Sequence, residues 1–251
     1  MEVHKHPHHV MHKKKWLEYL LEFTMLFMAV FLGFLAENVR EHRVEKQRGK
    51  EYVKSIINDL KADTTLLGRN IISIEARLKS QKAVIDSFYL IDKGYNKTFF
   101  ENLDSFKGFP DFIYSDATIQ QLKYSGGFRL IKKQAIVDSI MTYDSEVRRS
   151  MINASDLGKN LLNLHNYSDQ IFNYQGLDQQ MKQFKKTAAQ LEYEQFDFLI
   201  THDKITLTKF YNQLRYFSWL LKIVQGEEKV LHKKAKSLIR FLKKEYHMDW
   251  E

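Results

Sequence analysis

The chain has no cysteine, two prolines and ten glycines in 251 residues. The first absence excludes disulfides, thiolate metal sites and a cysteine nucleophile, and it leaves the redox compartment open. Scarcity of the two strongest helix breakers, beside 28% charged residues, favours long helices. Catalytic motifs are missing too: there is no G-x-S-x-G, no H-E-x-x-H and no phosphate-loop lysine. A slender bundle also offers little concavity for a substrate. The expectation is a protein that is not an enzyme, with no cofactor and no small-molecule substrate indicated. The net charge is +8, but the lysines are spread among glutamates and no basic block with interleaved aromatics appears. Nucleic acid is therefore not an expected partner. Attraction of juxtamembrane Lys and Arg to anionic lipid headgroups is the expected use of this charge.

What the chain does have is one long apolar run, Trp16 to Ala36. From Phe23 to Ala36 no residue is charged and only Thr24 is polar. Extending back to Trp16 gives the roughly 20 residues a bilayer span requires, with Glu18 and Glu22 near the interface, where Trp16 and Tyr19 also belong. At ~100° per residue, Glu18, Glu22, Met25, Ala29, Gly33, Ala36 and Arg40 share one stripe. Leu20, Phe23, Phe27, Phe31 and Phe34 fall opposite. Ala29-xxx-Gly33 is the spacing that lets two membrane helices approach closely. The predicted packing face is Glu22, Ala29, Gly33 and Ala36, against a partner membrane helix or a second copy of the chain; a lone anchor with chance small residues is the alternative. Phe34 stands where a cleavage site needs a small residue, so the expectation is an uncleaved signal anchor.

Residues 1–15 form a His- and Lys-rich tail. His4, His6, His8, His9 and His12 are possible ligands for Zn, Ni or Cu, against the alternative of a solvated basic tail. Four Lys/Arg precede the span and five follow within residues 37–51, so counting does not orient it. The Lys13–Lys15 run directly before the span places the N-terminus in the cytoplasm and the rest of the chain outside.

Residues 37–52 predict a helical stalk, supported by Glu37/Arg40 and Glu45/Arg48 pairs. From Val53 a heptad begins: Val53, Ile57, Leu60, Thr64, Leu67, Ile71, Ile74, Leu78, Gln81, Ile85, Phe88. Residues 92–113 break it with Gly94, Gly108 and Pro110. Phe99, Phe100, Phe106, Phe109 and Phe112 there either cap the end of a bundle or form an exposed docking patch. A short helix capped by Ser115 or Asp116 ends near Tyr124, and Ser125-Gly126-Gly127 supplies a left-handed stop. A second long helix is predicted from about Lys132 to Tyr174, with Ala154 and Gly158 leaving small positions and His165 on the apolar stripe. A third starts near Asp203 and keeps the heptad through Leu207, Phe210, Leu214, Phe217, Leu221, Val224, Leu231, Ala235, Leu238 and Leu242. Glu228 occupies its one skipped position, and Gly226-Glu227-Glu228 predicts a kink or hinge. The fold class is all-α: a transmembrane helix (16–36) continuing through a stalk into an up-down-up bundle of three long helices plus short ones, over 53–251.

The opening MEVHKHPHHV…KKKWLEYLLEFTMLFMAVFLGFLAENVREHRVEKQRGKEYVKSIINDLKADT, and the later TIQQLKYSGGFRLIKKQAIVDSIMTYDSEV, carry a resemblance. They are similar to a bacterial family of single-span, membrane-anchored helical proteins with a His-rich tail and no assigned activity. The resemblance covers roughly residues 1–65 and 115–147. It implies that the tail is native and that the protein is membrane-anchored; with the orientation read from the lysine run, the expected place is the bacterial inner membrane, single-pass, with the bundle periplasmic. Lys5 interrupts what is otherwise a more continuous histidine run in that group.

Three functions remain open on these residues. One is a membrane-anchored interaction or scaffold protein, whose partners are the lipid bilayer and a second copy or partner membrane helix. Another is a sensory module that binds a ligand between helices, near His165 or the 92–113 aromatics. The third is metal handling by the tail.

Overall fold

A computed structural model describes residues 16–93, 96–176, 178 and 198–248. These are all-α, with no strand among them. Helix α1 covers Trp16–Ser87, α2 Lys97–Leu103, α3 Ala117–Ser125, α4 Gln134–Ile171 and α5 Lys204–Tyr246. Short 3-10 helices lie at Phe88–Lys93, Asp104–Phe106 and Gly127–Leu130. Chain contacts separate two compact units, Met1–Glu51 and Tyr52–Glu251.

The described part of the first unit is the first half of α1. Every residue from Trp16 to Val44 is exposed. This is one helix near the N-terminus long and apolar enough to cross a membrane, and none of its apolar window is buried. The rings of Phe23, Phe27 and Phe31 stack one helical turn apart, at centroid distances of 6.3 and 5.9 Å. Thr24, the only polar residue in its middle, donates its hydroxyl proton to the Leu20 carbonyl (2.7 Å), which leaves no unmet donor there.

In the second unit the helices form because their apolar residues recur at helical spacing, and some termini have a local stop or cap, although Asp116 before α3 and Lys133 before α4 make no side-chain cap bond. Asp203 caps α5 by accepting from the Thr206 N–H at 2.8 Å. Gly126, at φ +65°, ends α3 in the left-handed conformation that a side chain would strain. α5 runs through Gly226-Glu227-Glu228 as one helix, with no interruption at the position where a kink or hinge is expected. Those two acids hold neighbouring elements instead: Glu227 accepts from Ser150 and Asn153 of α4, and Glu228 from Asn70 of α1.

The expected up-down-up order is corrected by the same kind of evidence. Pairs between α4 and α5 run in opposite sense, from Lys133–Glu245 through Asn153–Glu227 to Asn160–Gln213. Pairs between α1 and α5 also oppose: Val53 and Leu60 share a core with Leu238 and Leu242, whereas Ile74 and Val84 share one with Phe210 and Phe217. α1 and α4 are therefore parallel, and the order is up-up-down. A parallel pair needs a return crossing, and residues 104–118 provide it.

The crossing is fastened by polar side chains on α1. The Thr118 N–H donates to Asp59 (3.3 Å) and the Ser115 N–H to Asp63 (3.0 Å). Asn70 donates to the Asp111 carbonyl (3.1 Å), Arg77 to that of Gly108 (3.0 Å) and Gln81 to that of Ser105 (3.0 Å). As the α1 number rises the crossing number falls, so the segment runs back along the helix. An irregular backbone laid on a core has unmet N–H and C=O groups, and this ladder satisfies five of them.

Two apolar clusters flank the ladder. One contains Ile74, Val84, Phe99, Phe100, Phe106, Leu157, Phe172, Phe198, Phe210 and Phe217; the other Val53, Ile57, Leu60, Ile119, Ile136, Ile140, Val147, Leu231 and Leu242.

Candidate functional site

The predicted membrane-packing residues Glu22, Ala29, Gly33 and Ala36 are all exposed on α1, and a Cβ added at Gly33 would meet nothing within 4 Å. His4, His6, His8, His9 and His12 lie outside the described residues. Among the described residues no group of three or more His, Asp or Glu converges as a metal site would require.

The five phenylalanines divide. Phe99, Phe100 and Phe106 are buried, so the docking-patch alternative is corrected for them. Their rings pack among Phe88, Phe172, Phe198 and Phe217, with Phe100 and Phe198 only 4.7 Å apart edge to face. The physical cause is that α1 and α4 end here and α5 begins, leaving a gap that bulky side chains fill. Phe109 and Phe112 are half-buried along the crossing, Phe109 packed against this cluster and Phe112 against the other one.

These two residues line a groove of about 750 Å³. One wall is the crossing, with Phe109, Phe112, Ile113 and Tyr114. The opposite wall is α4, whose Ala154, Ser155 and Gly158 are too small to close the space. Val224 and Glu228 of α5 contribute to the floor, and Arg148 and Asp116 stand at one end.

Glu228 is the most anomalous residue in the unit. It is 2% exposed, at a core position of the α5 heptad. Asn70 donates to Oε1 at 3.3 Å, while the buried Oε2 has no hydrogen-bond partner among the described residues. Burial pushes its carboxyl up to about 7, the Asn70 bond draws it down, and the nearby Asp111 charge adds to the rise.

Beyond the groove end lies a denser polar network. The Tyr143 hydroxyl donates to Asp63 Oδ2 (2.9 Å), and the Tyr114 hydroxyl to Asp144 Oδ1 (3.2 Å). Burial raises both phenols well above the usual tyrosine range, reinforced by those carboxylates. Lys123 and Arg148 both reach Asp144, at 2.6 and 3.1 Å, and Arg148 also holds Asp116 at 2.9 Å. Burial pushes the Asp144 carboxyl up, but the bonds and charges of Arg148 and Lys123 outweigh it and hold the group below the usual range. Asp63 has no cation beside it among the described residues, and its burial leaves its carboxyl raised.

Among the described residues no histidine is paired with these acids, and Asp63 is bonded by Ser115 as well as by Tyr143. His165 lies half-buried in a second, smaller hollow with Ser168 and Tyr174. Comparison with protein-family models, with curated proteins and with solved structures finds no match to this chain.

Sequence patterning places Phe109 and Phe112 among its candidates but passes over Glu228, Asp63 and Asn70. The signal for Glu228 is present: a charged residue at a core register position between Val224 and Leu231.

Proposed function

We propose that this protein is a membrane-anchored helical interaction module. The Trp16–Ala36 stretch is its anchor, and the helical unit from Tyr52 onward engages partners. The observation that carries this reading is the exposure of the stretch: Trp16 is 79% exposed, Phe23 65% and Phe34 68%. A core helix of a water-soluble fold buries such residues, because leaving each Phe or Leu in water forfeits about 1.5–3 kcal/mol. An uncovered run of this length is matched to hydrocarbon. Glu22, Ala29, Gly33 and Ala36 give the helix a face for a second copy or a partner membrane helix. The lysines before the stretch favour a cytoplasmic N-terminus and a periplasmic helical unit, in keeping with the resemblance to bacterial single-span proteins.

Alkaline carbonate extraction of membranes, with reporters fused at the C-terminus, tests the anchor and its orientation together. Retention in the pellet with an externally active reporter is expected. Release into the supernatant removes the anchor, and a cytoplasmic reporter reverses the topology. Crosslinking in detergent tests association, and Gly33→Leu is expected to weaken any dimer while leaving insertion intact.

A further inference from the structure

We propose that the groove between the crossing and α4 is a binding site for a small organic amine, whose protonated nitrogen sits on Glu228 and whose apolar body lies between Phe109, Phe112 and the Ala154–Gly158 wall. Three independent features lead to this ligand class.

The first is space. A volume of about 750 Å³ falls within the range of small-molecule sites. It is not a packing defect of the core, because the α4 wall is built from small residues and a Cβ at Gly158 would meet nothing within 4 Å. Ile113, on the opposite wall, is 73% exposed, an apolar surface without cover.

The second is the sign of the charge. Asp111, Asp116 and Glu228 all line the groove, against the single cation Arg148. Arg148 is already engaged by Asp116 and Asp144, at 2.9 and 3.1 Å. The surplus is negative, so a cation is attracted and a carboxylate or phosphate repelled.

The third is the unmet acceptor. When ionised, a carboxylate only accepts hydrogen bonds. Glu228 receives one, from Asn70, and Oε2 has none among the described residues. A buried acid with a vacant oxygen costs stability, and an apolar residue would fill the same heptad position at less cost. An ammonium group supplies the missing donor and the opposite charge at once. The aromatic faces of Phe109 and Phe112 suit the flanking carbons of such a ligand.

The test is isothermal titration calorimetry on the full chain in detergent near pH 8, where the amine stays protonated and the carboxyl is ionised. The probes are 2-phenylethylamine, 2-phenylethanol and 3-phenylpropionate, which share one body and differ in head group. The amine is expected to bind at least about tenfold more tightly than either of the others. Gly158→Leu extends a side chain from a groove position where a Cβ meets nothing within 4 Å and improves helix propensity, so it is expected to abolish amine binding at an unchanged or higher melting temperature. Glu228→Gln keeps the shape and is expected to erase the preference for amine over alcohol. No binding of the amine, equal binding of amine and carboxylate, or undiminished binding by the Gly158→Leu variant overturns the proposal.

Discussion

The two core clusters of the helical unit solve the same problem with different chemistry. At one end α1 and α4 stop, α5 starts, and the space between their ends is filled by rings: Phe99, Phe100, Phe172, Phe198, Phe210 and Phe217. Helix ends that diverge leave volumes too large for aliphatic side chains, and aromatic pairs fill them with edge-to-face contacts. At the other end α4 starts and α5 stops, and the buried core is mostly aliphatic, with Val53, Ile57, Leu60, Ile136, Ile140 and Leu242 beside the buried ring of Tyr143. Its closure relies on buried charge, with Asp63 under Tyr143 and Asp144 under Lys123 and Arg148. The rings that fill the first end do not titrate, whereas the second is held by groups that do. Apolar filling tolerates adjustment of a ring here or there; a buried carboxylate tolerates little, because losing one partner strands the other.

The largest expected effect comes from the aromatic end. Phe217→Ala removes a fully buried ring and is expected to cost about 3–5 kcal/mol in chemical denaturation. Hydrogen exchange resolved along the chain should show the loss concentrated around α2 and the start of α5. Equal loss of protection around Ile136 and Ile140 would mean that the two clusters are one cooperative body.

Asp63→Ala attacks the other end. It leaves the Ser115 N–H and the Tyr143 hydroxyl without their acceptor, and about 3 kcal/mol is expected. The same exchange experiment should now show residues 111–118 opening first.

Next is the pH dependence that Glu228 imposes between the clusters. Its carboxyl stands at about 7 in the folded chain against an ordinary 4.5, so the folded state binds more protons across that interval. The stabilising contribution is fully present below about pH 4.5 and is lost as pH rises through about 7, on the order of 2–3 kcal/mol between pH 5 and 8. Glu228→Gln should flatten that slope. Asp144 has the opposite sign: its carboxyl is held low, so its contribution is present above the ordinary Asp range and is lost only in more acidic solution. A melting-temperature profile that rises steadily from pH 5 to 8 would contradict the Glu228 assignment.

The smallest effect belongs to the turn. Gly126→Ala places a side chain at φ +65° and should cost about 1 kcal/mol, with no clash to add to it. A neutral result would show that the α3 stop is pliable.

Much of this comparison is legible in the chain alone, and the illegible part has a definite cause. The α5 stripe from Leu207 to Leu242 is buried nearly as its heptad predicts, because each contact there is helix on helix. On α1 the heptad is right in period and off by one residue on half of the stripe. The series through Thr64, Ile71, Leu78 and Ile85 is only half-buried, while Asp63 and Asn70 are buried and Arg77 is partly so. Hydrophobic periodicity counts polar residues as solvent-facing, and these face an irregular backbone whose amides and carbonyls need partners. For the same reason the topology was not readable. Nothing in the spacing distinguishes a tight reversal from a long return, whereas the return itself is visible once Asp59, Asp63, Asn70, Arg77 and Gln81 are seen to act together. The groove was hidden in turn, since its two walls meet only because the crossing passes there.

The parallel course of α1 and α4 also sets an order for assembly. The apolar stripe of α1 from Val53 to Val84 is covered largely by residues of α4 and α5, which are synthesised long after it. α4 and α5 are antiparallel neighbours and can pair as a hairpin from local sequence, but α1 must wait for both and for the crossing laid between. During that wait its Val, Ile and Leu side chains face water, and a holding chaperone would protect them. The region that begins the helical unit is thus the last to be secured, and slow steps in refolding should report on residues 53–84 before any others.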